Sequence, residues 1–350
     1  MPATTMKAAV ITGHGGLEVV TTAHDLPVPT PGRGEVRLKM KAAALNRLDL
    51  WVRAGWKGLE LHMPHVIAAD GAGVVDAVGD GVAYVQPGDR VSINPTLIDL
   101  DQLLLTGDES LILNAPILGE HAPGVAAEYV VLPARNLLKL PDQVTFEQAA
   151  AAGLVYVTAW SSLITRGGLQ AGESVLIVGA GGGVNSASIQ IAKLAGCTVY
   201  VVGSSAEKCA QAEALGADVT INRADDPAWS KALYKLTDKR GVDVVVDNVG
   251  QATLPDSLRA AKRGGRILIV GNTTGYNAQI DTRFLFGKHL SLIGSSMGSS
   301  EDYRRVMALV FEGKLKPVIG AVLPLEAARK GQEMLEAGAV FGKVVLVLNG

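Results

Sequence analysis

The sequence between residues 175 and 205 constrains the fold more than any other part of the chain. It reads VLIVGAGGGVNSASIQIAKLAGCTVYVVGSS: an apolar run, a glycine turn, a stretch with helical spacing and a second apolar run. This order predicts a strand, a tight turn, a helix and a parallel strand. In such a unit the glycines let the backbone approach a pyrophosphate, and the helix N-terminus presents unpaired N–H groups to the anion. The stretch therefore predicts a dinucleotide-binding unit.

The glycine turn departs from the usual fingerprint at one position. The residues predicted to surround the pyrophosphate are Gly179, Gly181, Gly182, Gly183, Val184 and Asn185. Asn185 stands where a third glycine normally lets helix and strand pack closely, although its amide can also donate to a phosphate. The alternative is a glycine-rich turn without a ligand. The strand, turn, helix and strand in sequence favour the dinucleotide.

The patterns on the two sides of residue 155 differ. From residue 6 to about 135, Gly and Pro break the chain into short alternating pieces, such as EVRLKMKA, in which Val36, Leu38, Met40 and Ala42 share one face. This pattern predicts a small, irregular antiparallel barrel. Later apolar runs alternate with helical stretches, which predicts a parallel sheet with crossover helices. The runs are 175–178, 199–202, 242–246, 266–270 and 290–293.

Three local signals predict where helices begin. Thr145 with Gln148, and Ser204 with Glu207, match the capping box. Pro227 matches the first position of a helix.

Composition and charge exclude several classes of function. Of 350 residues, 48% are hydrophobic and 19% are charged, which is typical of a globular protein. The 32 basic and 34 acidic residues offer no general attraction to nucleic acid or to a membrane, so we expect neither partner and a small-molecule substrate instead. The two cysteines, Cys197 and Cys209, are typical of a reducing compartment. Without an apolar run of about 18 residues, the sequence predicts a cytoplasmic protein.

Several pieces along the chain carry a family resemblance. They are AALNRLDLW, GAGVVDAVGDGV, PGDRV, AEYVVLPARNLLKLPD, ALGADVTIN, DVVVDNVG and GKVVLVL. In this order the chain resembles the medium-chain dehydrogenase/reductase superfamily, in particular its alcohol dehydrogenase and quinone oxidoreductase branches. The resemblance implies an α/β protein with a GroES-like β-barrel catalytic domain over 1–155 and 298–350, and a Rossmann doubly wound parallel sheet over 156–297. It also implies an active site between the two domains and a homodimer or homotetramer, in which the edge strand near 289–297 pairs with its copy.

The positions of the family's catalytic zinc ligands differ in this chain. By resemblance, a cysteine is replaced by Asn46, a His-Glu pair by Ala69 and Asp70, and a second cysteine by Leu154. Zinc prefers a tetrahedral set of nitrogen and sulfur ligands, so these residues predict no metal site.

The family's structural zinc lobe also lacks its four cysteines. Asp99, Gln102, Leu105 and Ile112 stand roughly at those places, so we expect apolar packing of the lobe's leucines to replace the metal. An unorthodox site built from His62, His65 and His121 is the alternative.

The missing zinc ligands favour one reaction class. Alcohol oxidation without zinc needs another strong acid–base group, whereas hydride addition to a quinone or an activated C=C needs only stabilisation of an oxyanion. The resemblance implies that Asn46 donates to a carbonyl oxygen, with Asp49 and Asp70 as catalytic neighbours. The alternatives are that Asn46 caps a helix, that Asp49 starts one, and that Asp70 pairs with Arg47 or Arg53.

The end of the second strand predicts which nicotinamide cofactor binds. TVYVVG ends in Gly203, Ser204 and Ser205, without the carboxylate that binds the ribose 2′-hydroxyl of NAD. Lys208 and Arg223 follow and can offset a 2′-phosphate, which predicts NADP(H). The alternative is that Ser204 only caps the helix and Lys208 is a solvated charge. The resemblance adds further cofactor contacts at Arg47, Asn248, Gly271, Asn272, Thr273 and Lys343.

The predicted function is a zinc-independent oxidoreductase that transfers hydride from NADPH to a quinone or an activated enone or carbonyl. Alternatives are an enoyl-thioester reductase, an alcohol dehydrogenase-like enzyme, and an NADPH-binding redox sensor without turnover.

Overall fold

The computed structural model describes residues 4–112 and 115–348. The strands in this part of the chain are β1 Thr5–Ile11, β2 Val20–Pro27, β3 Glu35–Leu45, β4 His65–Val66, β5 Asp70–Val78, β6 Arg90–Ile93, β7 Tyr129–Pro133, β8 Leu137–Lys139, β9 Ser174–Val178, β10 Thr198–Gly203, β11 Val219–Asn222, β12 Val242–Asp247, β13 Ala261–Ile269, β14 Ser291–Gly294, β15 Ile319–Pro324 and β16 Lys343–Val347.

The helices in the same part of the chain are α1 Arg47–Ala54, α2 Leu100–Thr106, α3 Phe146–Trp160, α4 Gly183–Leu194, α5 Ala206–Ala214, α6 Trp229–Leu236, α7 Leu254–Ala260, α8 Thr282–Lys288, α9 Ser300–Phe311 and α10 Ala328–Glu336. A π-helical stretch, Ser161–Arg166, follows α3. None of the helices described is both long and apolar enough to cross a membrane.

The chain forms two compact units. Unit 1 comprises Met1–Leu154, Tyr303–Gly313 and Pro317–Gly350, and unit 2 comprises Val155–Asp302 and Lys314–Lys316. The sequence predicts the boundaries at 155 and 298.

Unit 1 is built from two sheets around a large apolar core. One sheet has the order β2-β1-β4, and the other has the order β15-β16-β3-β5-β6-β8, with β7 also paired with β3. Strand β3 buries Val36, Leu38, Met40 and Ala42, so the predicted alternation is confirmed. At its end, β3 runs antiparallel to both β5 and β16, with Ala44 opposite Asp70 and Leu45 opposite Val344. The carboxyl end of β3 therefore lies beside the first residues of β5 and β16.

Unit 2 is a six-stranded parallel sheet with the order β11-β10-β9-β12-β13-β14. Its first strand, β9, lies between β10 and β12, so the strand order reverses between β9 and β12. Ligands of open α/β sheets bind in the crevice at such a reversal. The apolar residues of the central strands β9 and β12 are all buried, as their apolar runs predict. The predicted α/β fold class is confirmed.

The predicted helix starts have mixed outcomes. The Thr145 and Gln148 capping box is confirmed, since the two side chains accept from each other's backbone N–H at 3.2 and 3.0 Å. The cap predicted at Ser204 is wrong, because Ser205 accepts from the N–H of Lys208 at 3.3 Å. Pro227 lies in a turn before α6 rather than at its first position.

The expected apolar packing of the lobe around α2 is also wrong. The side chains of Leu104 and Leu105 are 83% and 87% exposed. A helix of two turns can direct only one face toward the protein. The helix α2 is stabilised at both ends: Asp99 accepts from two backbone N–H groups, and Gly107 ends the helix in the left-handed conformation. Of the four positions of the lobe, only Ile112 is buried.

Candidate cofactor and active site

The glycine turn of unit 2 has the geometry that an anion requires. Gly179 follows β9 with a φ of 101°, a left-handed conformation that glycine adopts without strain. Gly182 precedes α4 with no side-chain cap, and a Cβ at that position would meet no atom within 4 Å. The N-cap of α4 therefore offers no side-chain acceptor to the first N–H groups of the helix, which include those of Gly183 and Val184. Together with the open space, they fit a pyrophosphate.

The side chain of Asn185 spans the end of the sheet. It is buried in the first turn of α4, and its Nδ2 donates to the carbonyl of Val178, the last residue of β9, at 3.4 Å. Its Oδ1 accepts from Nδ2 of Asn248, the residue after β12. A Cβ at Gly179 would come within 2.6 Å of Asn185 Nδ2, so glycine is required there for a second reason. Asn185 therefore fills the place of the third glycine and bridges two strands.

The other residues predicted to border the nicotinamide are brought together at the same edge of the sheet. A Cβ at Gly271 would come within 2.9 Å of the Asn248 carbonyl oxygen, and Thr273 Oγ1 donates to that oxygen at 3.5 Å. Asn272 lies between them and is exposed. The carboxyl ends of β12 and β13 thus place these four residues beside the strand reversal.

The end of β10 carries no carboxylate. Gly203 is buried, and a Cβ there would overlap Cys209 Sγ. Ser204 is exposed, while the hydroxyl of Ser205 caps α5. The backbone N–H of Arg223 donates to the Gly203 carbonyl at 3.0 Å, which places Arg223 beside the strand end. Its side chain is exposed and forms no ion pair within the described residues.

In unit 1, three buried polar side chains meet where β3 ends and where β5 and β16 begin. Asn46 Nδ2 donates to Asp70 Oδ2 at 2.8 Å, and Lys343 Nζ donates to the same oxygen at 2.9 Å. Lys343 Nζ also donates to Asn46 Oδ1. Lys343 is 3% exposed and Asp70 0%. We call Asn46, Asp70 and Lys343 the buried triad.

The second oxygen of Asp70 is also occupied. Oδ1 accepts from the backbone N–H of Leu154 at 2.6 Å, and a Cβ at Gly153 would overlap this oxygen. The alternative pairing of Asp70 with Arg47 or Arg53 is therefore wrong. Arg53 instead donates to Gln332 and Glu336, both at 3.0 Å. Arg47 is exposed, with no ion pair in the part of the chain that the structure describes.

Asp49 holds the backbone around the buried triad. Its carboxylate accepts from the N–H groups of Asn46 and Ala68 at 2.7 and 2.8 Å. Ala68 has a φ of 72°, which is costly for a residue other than glycine, and the Asp49 bond offsets that strain. Burial raises the pKa of Asp49 to about 6, against the opposite effect of the two N–H donors. Asn46 is thus the N-cap of α1 and Asp49 its third residue, the structural places that the alternatives predict, and the catalytic parts of Asn46, Asp49 and Asp70 stay predictions.

The buried triad does not fit a zinc ion. The oxygens of Asn46 and Asp70 face the Lys343 ammonium, whose charge repels a second cation, and zinc prefers nitrogen and sulfur ligands. Residues 4–112 and 115–348 contain no group of three His, Cys, Asp or Glu side chains that would hold a metal. His121 instead contacts the neighbouring Glu120 at 3.6 Å and the ring of Trp56.

Sequence reasoning missed the position of Lys343. It assigned this lysine to the cofactor, whereas its Nζ contacts Asn46 and Asp70. The available signal was a lysine at the start of the apolar run KVVLV, but only the pairing of β16 with β3 reveals its neighbours.

Comparisons with known proteins agree with both units. The model of the alcohol dehydrogenase GroES-like domain matches residues 32–142, and the model of the zinc-binding dehydrogenase family matches residues 183–312. Quinone oxidoreductase from Lama guanicoe is 30% identical, and the alignment covers 98% of each chain. Acryloyl-coenzyme A reductase from Metallosphaera sedula is 31% identical over 97% of this chain and 99% of that protein.

A crystal structure described as an NAD-dependent alcohol dehydrogenase has a TM-score of 0.94 and 47% identity, covering 98% of this chain and 100% of that one. The fold thus defines an oxidoreductase with a GroES-like domain and a Rossmann domain. The chain belongs to the medium-chain dehydrogenase/reductase superfamily, as its sequence motifs predict.

Proposed function

We propose that the protein is a zinc-independent oxidoreductase that uses NADPH to reduce a quinone or an activated enone. The buried triad carries this proposal, because Asn46 and Asp70, by the family resemblance, replace metal ligands of zinc-dependent members and because the Lys343 ammonium beside them disfavours a metal ion. The quinone oxidoreductase relative, similar over the full length, supports the substrate class.

The buried triad orients one hydrogen-bond donor, the side-chain amide of Asn46. Asn46 Nδ2 has two N–H groups, and one of them donates to Asp70. Among the described residues, the other finds only the Ala44 carbonyl at 3.5 Å, which is at the limit of a hydrogen bond. The Lys343 ammonium on Oδ1 polarises the amide and makes this N–H a stronger donor. A donor oriented in this way would suit the oxygen of a substrate carbonyl, which would gain negative charge if the substrate were reduced by hydride.

The end of β10 supports NADP(H). No carboxylate stands at Gly203, Ser204 or Ser205 to bind a ribose hydroxyl, and Arg223 is attached to the strand end through the Gly203 carbonyl. The related alcohol dehydrogenase of known structure is described as NAD-dependent, and titration with NADPH and with NADH distinguishes the two preferences in this chain.

A substrate panel tests the proposal. Purified protein is mixed with NADPH and, in turn, with quinones, enones and enoyl-coenzyme A thioesters, while nicotinamide oxidation is followed by absorbance. We expect turnover of quinones or enones, and elemental analysis without stoichiometric zinc. Turnover restricted to thioesters would favour the activity of the acryloyl-coenzyme A reductase relative. Cofactor binding without any turnover would favour a redox sensor, and one zinc per chain would overturn the zinc-independent mechanism.

A further inference from the structure

The bridge between Asn185 and Asn248 has a defined direction. A backbone carbonyl can only accept, so the contact with Val178 requires that Asn185 presents Nδ2 to β9. Its Oδ1 then faces Asn248, and an amide oxygen can only accept. Asn248 must therefore present its own Nδ2 to Asn185. One backbone carbonyl thus orients two side-chain amides in series.

The same series of hydrogen bonds determines which side-chain atom of Asn248 can still bind a ligand. With Nδ2 directed at Asn185, the Oδ1 of Asn248 points away from the bridge, and it accepts no hydrogen bond within the described residues. Asn248 is half-buried and follows β12 at the strand reversal, opposite the end of β9, since Asp247 pairs with Val178. An oriented acceptor is thus placed in the crevice where the ligands of such sheets bind.

We propose that Asn185 is a positioning residue that directs the amide oxygen of Asn248 toward a hydrogen-bond donor on the nicotinamide riboside half of the cofactor. The inference rests on the nicotinamide cofactor of the proposed function, but not on its substrate or on the 2′-phosphate. It explains why an asparagine replaces the third glycine: glycine would leave the Asn248 amide free to rotate.

Calorimetric titration of four nucleotides tests this role. NADPH and NADH contain the nicotinamide riboside, whereas 2′,5′-ADP and ADP contain only the adenosine half. In Asn185→Gly and in Asn185→Leu, which keeps the side-chain volume, we expect the dissociation constant of the preferred dinucleotide to rise three- to tenfold, with less than a twofold change for its adenosine half. Asn248→Ala should give the same pattern.

Two comparisons separate positioning from damage to the turn. The double variant Asn185→Gly/Asn248→Ala should bind no more weakly than Asn248→Ala, because the first side chain acts through the second. Ser188→Ala is the matched control, since Ser188 is buried on the same helix and its hydroxyl has no hydrogen-bond partner in residues 4–112 and 115–348. It should bind all four nucleotides like the unmutated protein.

Parallel weakening of dinucleotide and adenosine half would overturn the inference, since it would indicate a general loss of the turn. Additive effects of the two substitutions would overturn it as well, as would failure of the unmutated protein to bind any of the four. The expected binding pattern in a protein that reduces no quinone or enone would support the inference and contradict the proposed substrate class.

Discussion

At the scale of single residues, the buried triad combines two opposite charges with one amide. Removing one member of a buried ion pair leaves the other charge uncompensated, which destabilises proteins more than the pair itself stabilises them. Asn46 depends on both charges for its orientation, because one contacts its oxygen and the other its nitrogen. Stability and reactivity are therefore coupled at this site.

Lys343→Met tests how much the ion pair contributes to stability. We expect the free energy of unfolding to fall by about 3–5 kcal/mol, because Asp70 stays buried without its ammonium. Adding Asp70→Asn should recover part of the loss, since no unpaired charge remains. Lys330→Met is the control, because Lys330 is exposed and its ion pair with Glu333 is worth at most ~1 kcal/mol. Urea unfolding that shows Lys343→Met to be as stable as the unmutated protein would contradict the expectation.

Asp49 predicts a pH dependence of stability. Desolvation raises its folded pKa from 3.8 to about 6, with Lys343 acting in the opposite direction and Asp70 in the same one. Between pH 4 and 6 the folded protein therefore holds a proton that the unfolded chain has released. The contribution of Asp49 to the free energy of unfolding falls as pH rises through this window, by up to ~1.4 kcal/mol per pH unit, and is constant above it.

Comparison with Asp49→Asn isolates this group. The difference in the free energy of unfolding between the unmutated protein and the variant should decrease from pH 4 to 6 and then stay level. A difference that is flat from pH 4 upward would show that the carboxyl titrates normally.

At the scale of elements, α2 forms a helix although Leu100, Leu104 and Leu105 are exposed. Leu104→Gln and Leu105→Gln should each change the free energy of unfolding by less than about 0.5 kcal/mol, because both side chains lie in solvent. Ile112→Ala should cost about 2 kcal/mol or more, since Ile112 is buried. A large loss of stability from either leucine substitution, measured by chemical denaturation, would restore the expectation of apolar packing.

The cofactor preference predicted from the end of β10 can be measured directly. We expect NADPH to bind at least about tenfold more tightly than NADH, a difference of ~1.4 kcal/mol. Lys208→Ala or Arg223→Ala should erode most of this preference, because each removes a cation near the 2′-phosphate. Arg283→Ala is the control, since its guanidinium pairs with Asp281. Equal dissociation constants in the unmutated protein, at one ionic strength, would refute the assignment.

At the scale of the whole molecule, β14 is the last strand of the unit 2 sheet and leaves one edge without a partner strand in the described chain. An unpaired edge invites association with another strand. We expect this edge to pair with a second copy of the chain, so that sedimentation at micromolar concentration gives the mass of a dimer or tetramer. A monomeric mass would count against this arrangement.

The sequence by itself determined the features that depend on neighbours along the chain. The apolar runs predicted the parallel sheet, and the alternation in β3 predicted which of its faces is buried. The absence of a carboxylate after β10 can likewise be seen in the sequence alone. Periodicity and turn chemistry carry this information because each element forms from residues close in sequence.

Only the tertiary structure decided the contacts between distant residues. Lys343 reaches Asn46 across 297 positions, and Asn248 reaches Asn185 across 63. No local pattern predicts such pairs, because a polar side chain buried in a fold takes whichever partner the packing of strands and helices places beside it. The exposed leucines of α2 illustrate the same limit, since burial depends on the surface that lies opposite a helix and not on the hydrophobicity of the helix alone.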